Sequence, residues 1–295
     1  MTLAIFLALI AGLFWGISNV IDKAVLSRYV KNPLLVMPVV GSLALIVGTF
    51  FVVLNYQSLA VDVLWSLILF SALNFCSIVF YFLALKREEV SRMVPLYGTT
   101  PAFMVLIELM AFGTKLTMEQ YIGVIAVVIG AIILSYRSGP IKFNKKGLAL
   151  VLTSSIFWAT AVVFLTDIFD KHGYWLGWGW LQVTIGVLSL LSLFFIKKDF
   201  INTIKEKGSR VVWSIVSSQL FSMTAGAFLF YAGTLWVASL SSAITSDQFI
   251  FTFLFSLLIS WKWPQLLKEE VSPKIIIQKT ISILLIVAGI FLISL

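Results

Sequence analysis

The sequence predicts an all-α integral membrane protein, with ten transmembrane helices arranged as two inverted five-helix repeats. Three observations lead there: the composition, the number of long apolar stretches, and a likeness between the two halves of the chain. Of its 295 residues, 60 % are Ala, Val, Ile, Leu, Met, Phe, Trp, Tyr or Cys, and 12 % are charged. That is about half the charged share of ordinary soluble domains. A water-soluble chain of this length could not hide so much apolar surface, because its polar residues would not cover the outside. A soluble enzyme, a secreted disulfide scaffold and a disordered chain are thereby excluded.

A spanning helix needs about 20 mostly apolar residues. Ten stretches qualify: 3–26, 34–54, 63–85, 92–112, 119–136, 147–168, 174–196, 211–232, 239–261 and 275–295. They are continuously apolar and lack the alternation of barrel strands, so helices are expected. The first, MTLAIFLALIAGLFWG, has no basic flank and no small-residue cleavage site. It reads as a spanning helix rather than a cleaved signal. In the fourth, Pro95 and Pro101 bracket Gly98. Proline removes a backbone donor, so a bend suited to gating is predicted there. The seventh opens GYWLGWGW, and its Trp175, Trp178 and Trp180 read as an interfacial belt. The ninth carries the most polar patch within any stretch: Thr245, Ser246, Asp247 and Gln248. The longest hydrophilic connections are Lys197–Arg210 and, near the middle, Arg137–Lys146.

The halves on either side of that midpoint match in order. Phe14-Trp15 corresponds to Phe157-Trp158, and Tyr81 to Tyr231 without a gap through Ser91 and Ser241. Gly130-AIILS corresponds to Gly289-IFLIS. Residues 1–138 and 139–295 are therefore read as two five-helix units. Five is odd, so the second unit enters the membrane the other way up. Inverted repeats recur in secondary transporters, with the substrate near the midplane where the units meet. Eighteen of the 21 lysines and arginines fall in the odd-numbered connections or the span ends that flank them, against Lys115 and Lys171 in even-numbered ones. This bias puts the odd loops in the cytoplasm and both termini outside. It also accounts for the net charge of +8 without a nucleic-acid partner.

The Phe-Trp pairs and the run YFLALKREEVSRMVPLYGTTPAFMVLIELMAFGTKLTMEQYIGVIAVVIGAIIL carry a family likeness. That run holds Ala84-Leu85, Pro95-Leu96, Pro101, Gly113, Leu116-Thr117, Gly123 and Gly130. The chain resembles the EamA family of the drug/metabolite transporter superfamily over nearly its whole length. The resemblance implies ten helices in two inverted repeats around a central substrate cavity. It also implies export of amino acids or other small metabolites; more distant relatives carry sugar phosphates or nucleotide sugars. The chain departs from the family pattern at Thr114, where an acidic residue is usual. Phe251 and Trp263 stand where the second repeat would hold the matching proline and glycine.

Ionisable groups within spanning helices are costly and usually functional. Asp247, Glu108 and Asp22 are the candidates for proton or ion coupling, and Asp247 and Asn19 are also candidates for the substrate cavity. Asn19 and Asp22 lie three apart and share a helix face, whereas Lys23 does not. Asn74, Gln182, Gln219 and Gln248 are uncharged but need partners in lipid, so they are expected to face the interior. Trp15, Tyr81, Tyr97, Trp158 and Tyr231 are candidates to stack on substrate from the cavity wall, with Trp236 beside them. Pro95, Gly98 and Pro101 are the candidate gating bend. The lone Cys76 has no disulfide or metal-ligand spacing around it and reads as a small packing residue. No phosphate-binding loop, HExxH or GxSxG is present. No enzyme activity, metal or cofactor is therefore expected.

These readings point to a secondary transporter of small organic metabolites in the plasma membrane, exporting amino acids or related compounds by rocking of its repeats. The expected partners are a small-molecule substrate, the lipid bilayer and a proton or cation, with the protein a monomer or homodimer. The alternatives are a sugar or nucleotide-sugar carrier, and a non-transporting membrane accessory or scaffold protein.

Overall fold

The computed structural model describes residues 1–30, 32–85, 95–135, 145–262 and 273–295. Among them there is no strand. The helices are α1 (Thr2–Arg28), α2 (Met37–Leu54), α3 (Val61–Leu85), α4 (Thr100–Phe112), α5 (Met118–Ser135) and α6 (Lys145–His172). They continue with α7 (Tyr174–Leu191), α8 (Leu193–Lys207), α9 (Ser209–Leu235), α10 (Ala238–Ile244), α11 (Gln248–Lys262) and α12 (Pro273–Ile293). Short 3₁₀ turns, Tyr97–Thr99 and Thr245–Asp247, run directly into α4 and α11.

Nine helical spans among the described residues are long and apolar enough to cross a membrane, with α10 and α11 forming one of them. The predicted fourth stretch is a shorter apolar helix, Tyr97–Phe112; its predicted first turn, 92–94, lies outside the described residues. So do the proposed unit boundary at 138/139, Lys31, Arg92 and Trp263. The predicted seventh stretch ends early. At Ser192 the chain turns, and 193–207, expected to mix span and loop, forms a separate helix. Helix α8 buries none of its residues, and Phe194 and Phe195 are fully displayed on its surface.

Local chemistry sets several boundaries. Gly113 takes a left-handed backbone, φ 67°, and its N–H bonds Leu109 O while Thr114 N–H reaches Glu108 O. That closes α4 as a glycine C-terminal motif. Helix α5 opens with a capping box: Gln120 Oε1 accepts from Thr117 N–H at 3.0 Å, and Gln120 N–H bonds Thr117 Oγ1 at 3.3 Å. Trp236 is extended, φ −156°, and breaks α9 from α10.

The principal packing partners come from opposite halves of the chain: α2 with α7, α1 with α9, α5 with α12, and α3 with α6. Two of these pairs are seams of small residues. Gly41 and Gly48 meet α7 near Gly186 and Gly179 respectively, so the helices run antiparallel. A Cβ on Gly48 would stand 2.5 Å from Val183 N. Gly123 faces Gly289 and Gly130 faces Ser282 in the same antiparallel sense; a Cβ on Gly123 would stand 2.7 Å from Gly289 O. In each seam the small residues recur every seven positions, two helical turns, which keeps them on one face. Lipid offers no hydrophobic drive to pair helices, so such close backbone approach is what binds them.

The remaining helices form two lobes. Helices α1, α9, α10 and α11 pack together, as do α3, α4 and α6. The largest fully buried side chains include Phe169, Phe230, Leu165 and Leu181, which lie between the lobes in the α6, α9 and α7 region.

Candidate functional site

A cavity of about 220 Å³ lies in the middle of the bundle, between the two lobes. It reaches toward the helix ends that carry the odd-numbered loops, where Asp22, Val40 and Phe82 stand on its wall. Helix α1 supplies Trp15, Ser18, Asn19 and Asp22, spaced three and four apart on one face. Helix α9 supplies Gln219, Ser222, Met223, Gly226, Leu229 and Phe230 in the same periodicity. From the opposite lobe come Asn74, Ile78 and Tyr81 of α3, Tyr97 and Gly98 ahead of α4, Pro101 within it, and Trp158 of α6. Helix α7 closes one side with Trp178, Leu181 and Gln182.

The wall is tied down by hydrogen bonds. Ser218 donates to Asp22 Oδ1 at 2.6 Å, so the 2.9 Å contact between Ser18 and Ser218 is donated by Ser18. Asn19 Nδ2 donates to Gln248 Oε1 at 3.1 Å and to Thr252 Oγ1 at 3.3 Å, joining α1 to α11. The Tyr97 hydroxyl bonds Ser77 Oγ at 2.7 Å, and Ser154 donates to Ser77 O at 2.7 Å. Asn74 Oδ1 is buried and has no hydrogen-bond partner, which leaves it as an acceptor on the wall. Aromatic rings form a continuous belt. Trp15 meets Trp158 at 6.3 Å, Trp158 meets Tyr97 at 6.4 Å, and Tyr97 meets Tyr81 at 5.5 Å between centroids. Phe230 links Trp158 to Trp178. No lysine or arginine stands on the wall among the described residues.

The structure thus brings Trp15, Asn19, Asn74, Tyr81, Tyr97, Trp158, Gln182, Gln219 and Gln248 into one cavity, together with Asp22, Gly98 and Pro101. It places others elsewhere. Tyr231 is turned about 100° from the cavity-facing row of α9; it packs on Tyr174 at 5.0 Å and is 40 % exposed. Its neighbour Phe230 holds the wall position instead. Asp247 is buried but off the wall. The 3₁₀ turn carries its carboxyl onto α1, where a Cβ on Gly12 would stand 1.5 Å from Oδ1, and that oxygen has no hydrogen-bond partner. Glu108 is also buried and off the wall: Oε1 accepts from Ser239 N–H at 2.9 Å and Oε2 from the Ser239 hydroxyl. Trp236 packs in a cluster with α1, α5 and α12.

Pro95 precedes the turn Tyr97–Thr99, so the predicted bend is a short change of helical pitch beside the cavity. Thr245–Asp247 is a second such turn, unforeseen because no proline marks it. Trp178, read as part of an interfacial belt, is 4 % exposed and on the wall, whereas Trp175 is half exposed and stacked on Phe51. Sequence reasoning also passed over Ser18, Ser77, Ser154 and Ser218, whose hydroxyls align the wall. Serine inside an apolar helix gives little signal, because it can bond its own backbone. No group of three His, Cys, Asp or Glu that could hold a metal occurs among the described residues.

Residues 2–136 match the EamA-like transporter family. An "uncharacterized transporter" of Archaeoglobus fulgidus is 36 % identical over 90 residues, which is 30 % of this chain and 32 % of that protein. An uncharacterized protein of Methanocaldococcus jannaschii is 29 % identical over 138 residues, 46 % of this chain and 98 % of that one. The chain therefore spans about a third of the first relative's length and nearly all of the second's. A solved protein crystal structure superposes over 98 % of this chain and 95 % of its own, with a TM-score of 0.65 at 16 % identity; that likeness is one of fold.

Proposed function

We propose, from the match of residues 2–136 to the EamA-like transporter family, that this multi-pass membrane protein is a secondary transporter of small organic metabolites. The observation that carries the reading is convergence. Nine of the eleven side chains expected at a substrate site line one central cavity, where a scaffold protein would have no reason to gather them. We read the chain as ten spans in two inverted repeats. Its pairings support this: exchanging each span with the one five places along turns α1–α9 into α6–α3 and leaves α2–α7 and α5–α12 as they are. Alternating access then follows from tilting of the two lobes about the cavity.

In the finer reading the substrates are amino acids or related compounds, moved outward. The amides of Asn74, Gln182 and Gln219 are suited to a carboxylate, and the aromatic belt to an apolar side chain. A sugar-phosphate or nucleotide-sugar substrate would call for cations on the wall, and the described wall has none. Asp22, on the wall, and Asp247, in the α1 seam, are assigned to coupling. Glu108, held by Ser239, is assigned to closing the far end of the cavity.

The test is a metabolite panel screened by thermal shift on purified protein, followed by flux of the stabilising compounds in proteoliposomes. Saturable flux of a bound compound, reduced in Asp247→Asn at unchanged expression, is expected. Binding without flux at any imposed gradient would replace the transporter with an accessory protein.

A further inference from the structure

Resting on the transporter reading, we infer that the cavity selects its substrate by a cationic amine. The ammonium docks at Asp22, and the rest of the molecule lies along the Trp15–Trp158–Tyr97 belt. Asp22 is the one carboxyl on the described wall, and among the described residues no cation stands on that wall to neutralise it. Its Oδ1 is fixed by the Ser218 hydroxyl at 2.6 Å, itself aligned by Ser18. The carboxyl is therefore oriented before any ligand arrives, which lowers the cost of binding. Lys23, the neighbouring residue in sequence, projects about 100° away round the helix and is absent from the wall.

Two helical turns along the same wall from Asp22, and joined to it through Tyr81, aromatic rings stand at angles to one another. Trp15 and Trp158 are inclined at 72°, and Tyr97 and Trp158 at 53°. Mutually tilted rings offer both faces and edges, and the electron-rich faces attract a cation. The Tyr97 ring is immobilised by its hydroxyl bond to Ser77. A carboxyl sharing a wall with tilted aromatic faces is complementary to an ammonium on a carbon skeleton. It is not complementary to an anion, which would face Asp22 without a compensating charge. The amides accommodate a carboxylate on such a substrate but do not require one. Free amines and amino acids are both admitted, and carboxylic acids lacking an amine are refused.

Three probes sharing one phenyl ring separate these classes: phenethylamine, phenylalanine and phenylacetate, titrated calorimetrically against the purified protein in detergent. The two amine probes are expected to bind, and phenylacetate to bind at least about tenfold more weakly. Asp22→Asn should weaken phenethylamine by about tenfold or more, while Asp22→Glu keeps most of the affinity. Glu119→Gln, exposed at the start of α5 and off the wall, should leave binding unchanged. A thermal unfolding trace on each variant separates lost binding from lost folding. Phenylacetate binding as tightly as phenethylamine, or a folded Asp22→Asn that keeps wild-type amine affinity, overturns the inference. If other compounds are carried while the amine probes do not bind, the amine rule fails and the transporter reading stands. If amines bind yet nothing is carried, the transporter reading fails and the rule for the site remains.

Discussion

Glu108 shows how one side chain can be functional in kind and structural in place. Its position deep in an apolar helix marks it as costly, and the structure answers the cost with two donors from Ser239 at the start of α10. The bond ties the end of α4 to the start of α10, on the side of the bundle away from Asp22. Hydrogen bonds to a charged or strongly polar acceptor are worth about 1.5–3 kcal/mol, and interhelical bonds in membranes fall toward the lower end. Ser239→Ala is therefore expected to lower stability by about 1–2 kcal/mol, measured as equilibrium unfolding in mixed micelles, with probe binding intact. Equal stability of Ser239→Ala and wild type would show that the clasp is not formed. That Glu108 would need a partner was legible in the sequence; that the partner would be Ser239 was not, because the pairing spans 131 positions. Tyr231 was misplaced for a different reason. In a helix apolar all round, periodicity does not say which side faces lipid and which the interior, so Phe230 and Tyr231 could not be told apart.

Among the elements, the long helices were readable from apolar length, with ends shifted by only a few residues from Thr2–Arg28 to Pro273–Ile293. Helix α8 was not readable. Its lysines made 197–207 look like a loop, yet Phe194, Phe195 and Ile201 are exposed beside them along a surface helix, while Ile196 and Phe200 pack inward. That mixture suits the boundary between acyl chains and headgroups. The glycine rows were also invisible without partners: a glycine in a spanning helix announces flexibility as readily as contact. At Gly48 the structure decides for contact, since a Cβ would strike the α7 backbone at Val183 N and Gly179 O. Gly48→Ala and Gly123→Ala are expected to cost about 1–3 kcal/mol each through overpacking. Gly226→Ala, whose nearest obstacle is the Trp178 ring at 3.1 Å, should cost less. Thermal unfolding of the three purified variants ranks them, and an unperturbed Gly48→Ala would mean that the α2–α7 seam is looser than it looks.

On the scale of the whole molecule, the charge bias predicts a sidedness. With Cys76 in half-buried α3 replaced first, a cysteine added at either terminus should react with a membrane-impermeant maleimide on intact cells; protection until lysis would invert the orientation. The same sidedness makes the cavity, whose wall includes Asp22 and Phe82, reach toward the cytoplasm in this conformation. The cross-pairing of helices carries a further consequence. Each lobe is assembled from both halves of the polypeptide, α1 with α9 and α3 with α6, while the glycine rows at α2–α7 and α5–α12 leave no slack for sliding. On the proposed reading, the bodies that tilt are thus woven composites, hinged along two stiff edges. In that reading, what duplicates along the chain and what swings in the membrane are different partitions of the same set of rods.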